Sequence, residues 1–281
     1  MFLFLLSLTF VVDTTGAEWD SLQAAVDSAC TLGGWDTVKL GDGTYHLYDI
    51  HGLNIQEGYL VIEGTGTGKC TLSVFNPSRT DSCDTLIYAS LSTIYTPVIF
   101  KNIVLYHGVT ILEQTTTTLD SCVICESPSS GIKASQGTIY INDTEVKNNR
   151  GLLGGGVYAY AVVVHLLRSR FVNNQATGYG DKGGGAVYAG GGNLYADACE
   201  FIGNSAGNWG DNVNGGAIYL VYQHDSRITN CLFEGNQAGR GGGIYIYVPT
   251  DTITVEKCEF RKNRCYYYGA ALSTMEAFMI M

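Results

Sequence analysis

Apolar positions in the second half of the chain recur on a long, nearly constant period. Phe stands three residues before Asn at Phe171 and Asn174, Phe201 and Asn204, Phe233 and Asn236, and Phe260 and Asn263. Successive Phe residues are 30, 32 and 27 positions apart. Between them runs a glycine-led segment: Gly155-Gly156-Val157-Tyr158, Gly184-Gly185-Ala186-Val187-Tyr188, Gly215-Gly216-Ala217-Ile218-Tyr219 and Gly242-Gly243-Ile244-Tyr245. Gly269-Ala270-Ala271-Leu272 is a worn fifth copy. Two residues before each Phe stand Ser169, Cys199, Cys231 and Cys258, in a position called here the corner slot. Three and five places before the corner slot come Leu166 and Val164, Ala196 and Leu194, Ile228 and Ser226, Val255 and Ile253. The same frame fits Ile139, Ile141, Thr144, Val146 and Asn149, and further upstream Val98, Phe100, Ile103, Leu105 and Gly108.

Two apolar residues two apart mark one face of a strand, because strand side chains alternate. The three-residue step to the next pair breaks that alternation. A bend between two short strands returns both pairs to one inner face. Each repeat then holds three short strands, the glycine-led one and the two flanking the bend, and makes one coil of a solenoid. Stacked coils bring equivalent slots into register about 4.8 Å apart. Phe171, Phe201, Phe233 and Phe260 should form one interior column, and Cys199, Cys231 and Cys258 another, acting as small hydrophobes. Asn149, Asn174, Asn204, Asn236 and Asn263 should form a structural ladder that satisfies turn backbone. Roughly nine coils fit between residue 36 and the end, a rod about 40 Å long at that rise.

Upstream, Leu22, Ala25, Val26 and Ala29 fall at i, i+3, i+4 and i+7, an amphipathic helix with Asp20 as its cap and Gln23 in the reciprocal position. Such a helix shields the apolar ladder of a first coil. Strand-like segments punctuated by glycine follow, Thr37 to Tyr45 and Tyr59 to Gly64.

These features carry two resemblances. Residues 17–110 look like the start of pectin-lyase-like β-helix proteins: a short helix, the pattern V-x-L-x-x-G-x-Y at Val38 to Tyr45, and a glycine turn after Ile62. Residues 146–272 resemble the repeats of chlamydial polymorphic outer membrane proteins, marked by GGA[ILV] and FxxN. The fold expected is all-β, a right-handed single-stranded parallel β-helix with a short N-terminal capping helix. The second resemblance implies a surface-exposed, adhesin-like protein. No translocator barrel follows the repeats, which departs from that family.

The first residues read as an apolar leader. Phe2 to Val12 has signal-peptide length, and Thr15-Gly16-Ala17 offers small residues for cleavage, although no basic segment precedes the run. An uncleaved anchor is the alternative, but the run is too short to span a bilayer. The expected organisation is a signal peptide at 1–17 and one β-helix domain at 18–281, with its cap at 18–35 and its clearest repeats at 137–272. The final Met275 to Met281 lacks a polar cap and reads as a chain cut short. Export to an oxidising compartment, secreted or on a cell surface (the outer membrane if bacterial), gives the nine cysteines meaning, since their odd number leaves one thiol unpaired. A structural disulfide is expected among Cys70, Cys83, Cys122 and Cys125. Net charge of −10 excludes a nucleic-acid partner, which needs Lys and Arg for phosphate.

Candidate chemistry is sparse. Gly64 to Lys69 is one residue short of a phosphate loop and has Cys70 where Ser or Thr is required. β-Helix lyases need a calcium-binding acidic cluster with a nearby Arg or Lys base, and hydrolases need close carboxylates. Asp143, Glu145, Glu200, Glu234 and Glu259 are scattered, and His46, His51, His107, His165 and His224 share no repeat slot. Asp181 and Asp211 each follow an aromatic-Gly pair in consecutive repeats, which suits a loop-edge calcium site, the only cofactor expected. Tyr158, Tyr188, Tyr219 and Tyr245 form an outward row, either a self-packing ladder or an anchor for a sugar or protein. Asn142 opens the only N-glycosylation triplet. The leading expectation is a non-catalytic, adhesin-like scaffold with an extracellular protein or glycan partner. A polysaccharide lyase or glycosidase is its main rival, and a purely structural envelope component is a third reading.

Overall fold

The computed structural model describes residues 9–12, 19–31, 35–47, 53–55, 59–65, 70–74, 85–90, 97–107, 109–180, 182–208, 211–275 and 279–280. Every pairing between its strands is parallel, as a single chain winding in one direction requires. Among the described residues the strands form three sheets. Sheet A is folded lengthwise into two limbs, with one limb running through Val157, Val187, Ile218, Ile244 and Leu272. The other limb runs through Leu166, Ala196, Ile228 and Val255. Sheet B carries nine strands, from Gly43–Leu47 to Glu259–Arg261, in agreement with the coil number read from the repeats.

The Phe column forms as expected. Phe171, Phe201, Phe233 and Phe260 are in register, with ring centroids 5.0, 4.8 and 4.8 Å apart and planes within 11° of parallel. Asn149, Asn174, Asn204, Asn236 and Asn263 form the ladder. Each Nδ2 donates to the next Oδ1 at 3.0–3.1 Å. Each also donates to the backbone carbonyl of the preceding coil, Ile124, Val146, Phe171, Phe201 and Phe233 in turn. Each Oδ1 from Asn149 onward accepts the backbone N–H of the coil before, starting at Ser127.

The bend is a single residue in the left-handed region: Ser121, Asp143, Arg168, Ala198, Asn230 and Lys257 all have φ between 47° and 55°. The next residue, in the corner slot, then seals the corner. Cys122, Thr144, Ser169, Cys199, Cys231 and Cys258 each donate from sulfur or hydroxyl to the carbonyl two residues earlier. A small side chain with a donor suits this position, which is why Cys, Ser and Thr alternate there. The glycine-led turn is sterically required: a Cβ on Gly185 would lie 2.1 Å from the Gly216 oxygen, and one on Gly216 2.2 Å from that of Gly242.

Three expectations are corrected. Coils from Arg150 onward contain a fourth strand, in sheet C, where Ala176, Ala206 and Ala238 pack with Val213 in a small separate cluster. The expected disulfide does not form at Cys70 or Cys122, which are free thiols in the core; Cys83 lies outside the described residues. Both thiols are pushed up to about 12, chiefly by burial. Cys125 is buried at the end of Val123–Cys125. The helix starts at Trp19, so Asp20 lies inside it rather than capping it, and Gln23 donates to Asp27 instead. The apolar stripe itself holds, with Leu22, Val26 and Ala29 buried. Thr9–Val12 pairs in parallel with Trp35–Leu40 and so adds a rung before the first coil.

Candidate functional site

Residues between the inward pairs of the second sheet A limb must face out, because side chains alternate. Those residues are Tyr140, His165, Tyr195 and Arg227, paired directly in that order. The rings stack: Tyr140 to His165 at 4.7 Å and 10°, His165 to Tyr195 at 5.0 Å and 23°. Asn142, Leu167, Asp197 and Thr229 run beside them as the next outward row. Together they line an open hollow of about 400 Å³.

The charges around this hollow are held in fixed places. Asp197 Oδ1 accepts from Thr229 Oγ1 and Asn230 Nδ2, each at 2.7 Å, and these bonds keep its carboxyl below the usual range. Arg227 Nη2 reaches Glu256 at 3.0 Å. Arg168 makes a two-point contact with Asp143, which lowers that carboxyl in turn. Burial lowers the pKa of His165, so its imidazole is neutral at pH 7. The rings cover one another's faces and present edges and polar tips. Chemically this is a comb of hydrogen-bonding groups flanked by a guanidinium and a carboxylate.

A second aromatic surface lies on the other limb. Tyr158, Tyr188, Tyr219 and Tyr245 succeed one another at 5.4–5.5 Å. Tyr219 and Tyr245 are buried, packed with Val221 and Tyr247, so that half of the row is a self-packing ladder. Burial, followed by neighbouring tyrosines, pushes Tyr188 up to about 12. Tyr160 and Tyr222 flank the row at 55% and 50% exposure and present their rings to solvent. A hollow of about 580 Å³ lies at the far end between Arg240, Tyr245, Tyr247, Tyr268 and Met275.

The other sequence candidates separate. Asp181 lies outside the described residues. Asp211 turns back on its own loop, its Oδ2 accepting the Asn208 N–H at 2.8 Å. Among the described residues no three His, Cys, Asp or Glu side chains converge as a metal site would require. Asn142 faces the hollow, but Thr144 of its triplet is buried, its hydroxyl bonded to the Leu119 and Asn142 carbonyls. Glu145 and Glu200 bracket Arg170 as an ion-pair ladder across three coils, and Glu234 meets Lys262. The Tyr140, His165 and Tyr195 column escaped the repeat frame, which tracked inward slots. Its signal was the residue between each inward pair.

These features define a right-handed parallel β-helix with an aromatic outer face. The chain belongs to the right handed beta helix region family, which it matches over residues 107–277, more than half of its length. Among solved structures it is similar to ORF18 of Geobacillus virus E2, at 11% identity and a TM-score of 0.37. That match covers 94% of this chain and 60% of the viral one, so the chain spans about 60% of that protein's length. It is also similar to the A-module of the Azotobacter vinelandii mannuronan C-5 epimerase AlgE4, at 12% identity, 91% and 95% coverage and a TM-score of 0.32. These likenesses concern the fold alone. No curated protein matches the sequence. Among the described residues no helix is long and apolar enough to cross a membrane.

Proposed function

We propose that this chain is a secreted or cell-surface interaction scaffold, adhesin-like, built on repeats of the polymorphic outer membrane protein type. The observation that carries the reading is the outward column of Tyr140, His165, Tyr195 and Arg227, which continues across four coils. Aromatic edges beside Arg are the residue types that anchor protein and glycan partners. An extracellular glycan or protein is the partner class, and a loop-edge calcium at Asp181 and Asp211 would be accessory. A chelator-sensitive melting temperature restored by calcium tests that accessory site.

A second reading is polysaccharide turnover, favoured by one feature: a neutral imidazole between two tyrosines in a hollow that also holds Arg227. Glycan-array binding and polysaccharide-turnover assays on the purified chain separate the two. The scaffold reading expects selective binding without turnover, weakened at least tenfold by Tyr195→Ala together with Arg227→Ala. Turnover of a uronate polymer that is abolished by His165→Gln would replace it with the second.

A further inference from the structure

Three consecutive coils place cysteine in the corner slot: Cys199, Cys231 and Cys258. Their following residues are paired directly, Glu200 with Leu232 and Leu232 with Glu259. The amides of Leu232 and Glu259 donate to the Cys199 and Cys231 carbonyls, both at 2.9 Å. All three Sγ atoms point the same way, each toward the carbonyl two residues back at 3.1–3.3 Å. The thiols also neighbour one another along the axis, Cys258 beside Cys231 and Cys231 beside Cys199. Above them the column continues with Ser169, then Thr144. Cys70 and Cys122 occupy the same column but are separated by the coil of Ile103, so among the described residues of this column only this trio has sulfur on adjacent coils.

We propose that these three cysteines are an oxidation site, in which Cys231 closes a disulfide with one axial neighbour and clamps two coils together. Parallel neighbours stand about 4.8 Å apart. A disulfide tolerates Cα separations of about 4.4–6.8 Å, so adjacent coils fit. Cys199 and Cys258 are two coils apart, roughly 10 Å, and cannot join. Cys231 is therefore a member of every permitted bridge.

The co-reactant is a small-molecule disulfide, RSSR. Cys258 is partly exposed, whereas Cys199 and Cys231 are buried, so attack starts there. Its Sγ loses a proton and attacks one sulfur of RSSR; the S–S bond breaks and the released thiolate takes up the proton as RSH. Deprotonated Cys231 then attacks Cys258 Sγ, and the second RSH leaves. Two protein thiols and one RSSR become one protein disulfide and two RSH. Cys199 can next attack Cys231, freeing Cys258 and moving the bridge one coil inward. Cys231 is pushed up to about 12, chiefly by the adjacent Cys199, and Cys258 is raised chiefly by the adjacent Cys231. The reaction should therefore quicken from neutral to mildly alkaline pH.

The test is to incubate the folded full chain with oxidised glutathione, block remaining thiols, digest without reduction and map the bridges by mass spectrometry. The expected product joins Cys231 to Cys258 or to Cys199. Cys231→Ser should yield no bridge at either neighbour, and Ser is already a native occupant of the column at Ser169. A Cys199–Cys258 bridge in either protein overturns the proposal. So does complete blocking of all three thiols in wild-type chain that circular dichroism shows to be folded after oxidation. The wild-type map decides the matter even if the variant does not fold.

Discussion

The coils before residue 127 and those after 145 share one backbone ladder, yet they are filled differently. In sheet B the early interior column reads Tyr45, Leu72, Leu105 and Ile124, three side-chain types on four coils. The later column continues from Val146 into four Phe rings that stack on one another. The early coils have Ser127 where the later ones have the Asn ladder, and the described strands of sheet C begin only at Arg150. The early stack is held by parallel pairing, apolar alternation and isolated side-chain contacts between coils such as Trp35 on Tyr59 and Lys101 with Glu63. Identical residues at identical slots add coupling between side chains to the later one. Since each coil touches only its neighbours, that coupling should be felt locally.

The largest predicted difference lies in the turn after sheet B. Asn204→Ala removes the acceptor for the Asn174 N–H and Nδ2, and the donor to the Phe171 carbonyl. Orphaning several buried groups should cost about 4 kcal/mol in urea denaturation. Ser127→Ala, at the matching early position, loses only contacts at 3.3–3.4 Å and should cost about 1 kcal/mol. Equal costs would erase the distinction drawn between the two halves.

Next comes the glycine-led turn. Gly185→Ala must push its Cβ against the Gly216 carbonyl and should destabilise by about 3 kcal/mol. Gly191→Ala has open space around it and only a left-handed φ of 62° to tolerate, so about 1 kcal/mol is expected. A thermal-melt comparison of the two checks that crowding between coils, rather than conformational freedom, selects glycine there.

Ring stacking is smaller. Phe201→Leu keeps the apolar slot but loses two stacked neighbours, and should cost about 1.5 kcal/mol. Leu105→Met, in the early column, should cost under about 1 kcal/mol. If both cost the same, stacking contributes nothing beyond burial.

The smallest effect concerns pH. His165 has a folded pKa below its unfolded value of about 6.5, so the unfolded chain binds more protons in the window beneath it. Its contribution is present above about 6.5 and is lost as pH falls through the folded value. Stability should decline modestly on acidification, and His165→Gln should flatten that slope.

Much of the later half was legible because contact there joins a residue to its own repeat, so self-similarity along the sequence is the contact map. The coil at Val109–Asp120 was missed because its inward residues include Thr115 and Thr117, whose hydroxyls bond each other in the core at 3.0 Å. They read as a polar run, and Cys122 and Cys125 beside them read as bridge material. Sheet C was missed because two-residue strands such as Gln175–Ala176 are too short to show a period. The three-residue step placed the corners but gave no sign of their left-handed backbone. Asp143, Arg168 and Lys257 take left-handed φ values without glycine, because the sealed carbonyl behind each one compensates.

The Asn ladder also makes the later coils interchangeable. Each rung offers its upper neighbour the same donors and acceptors that it takes from the one below. Excising residues 172–201, one spacing of 30, would bring Asn149 under Asn204 with every amide re-partnered. Elsewhere in this stack a whole coil is 32 or 27 residues, and a cut that is not a whole coil would strand them. Rod length in this region can therefore change in whole coils without redesigning a single turn.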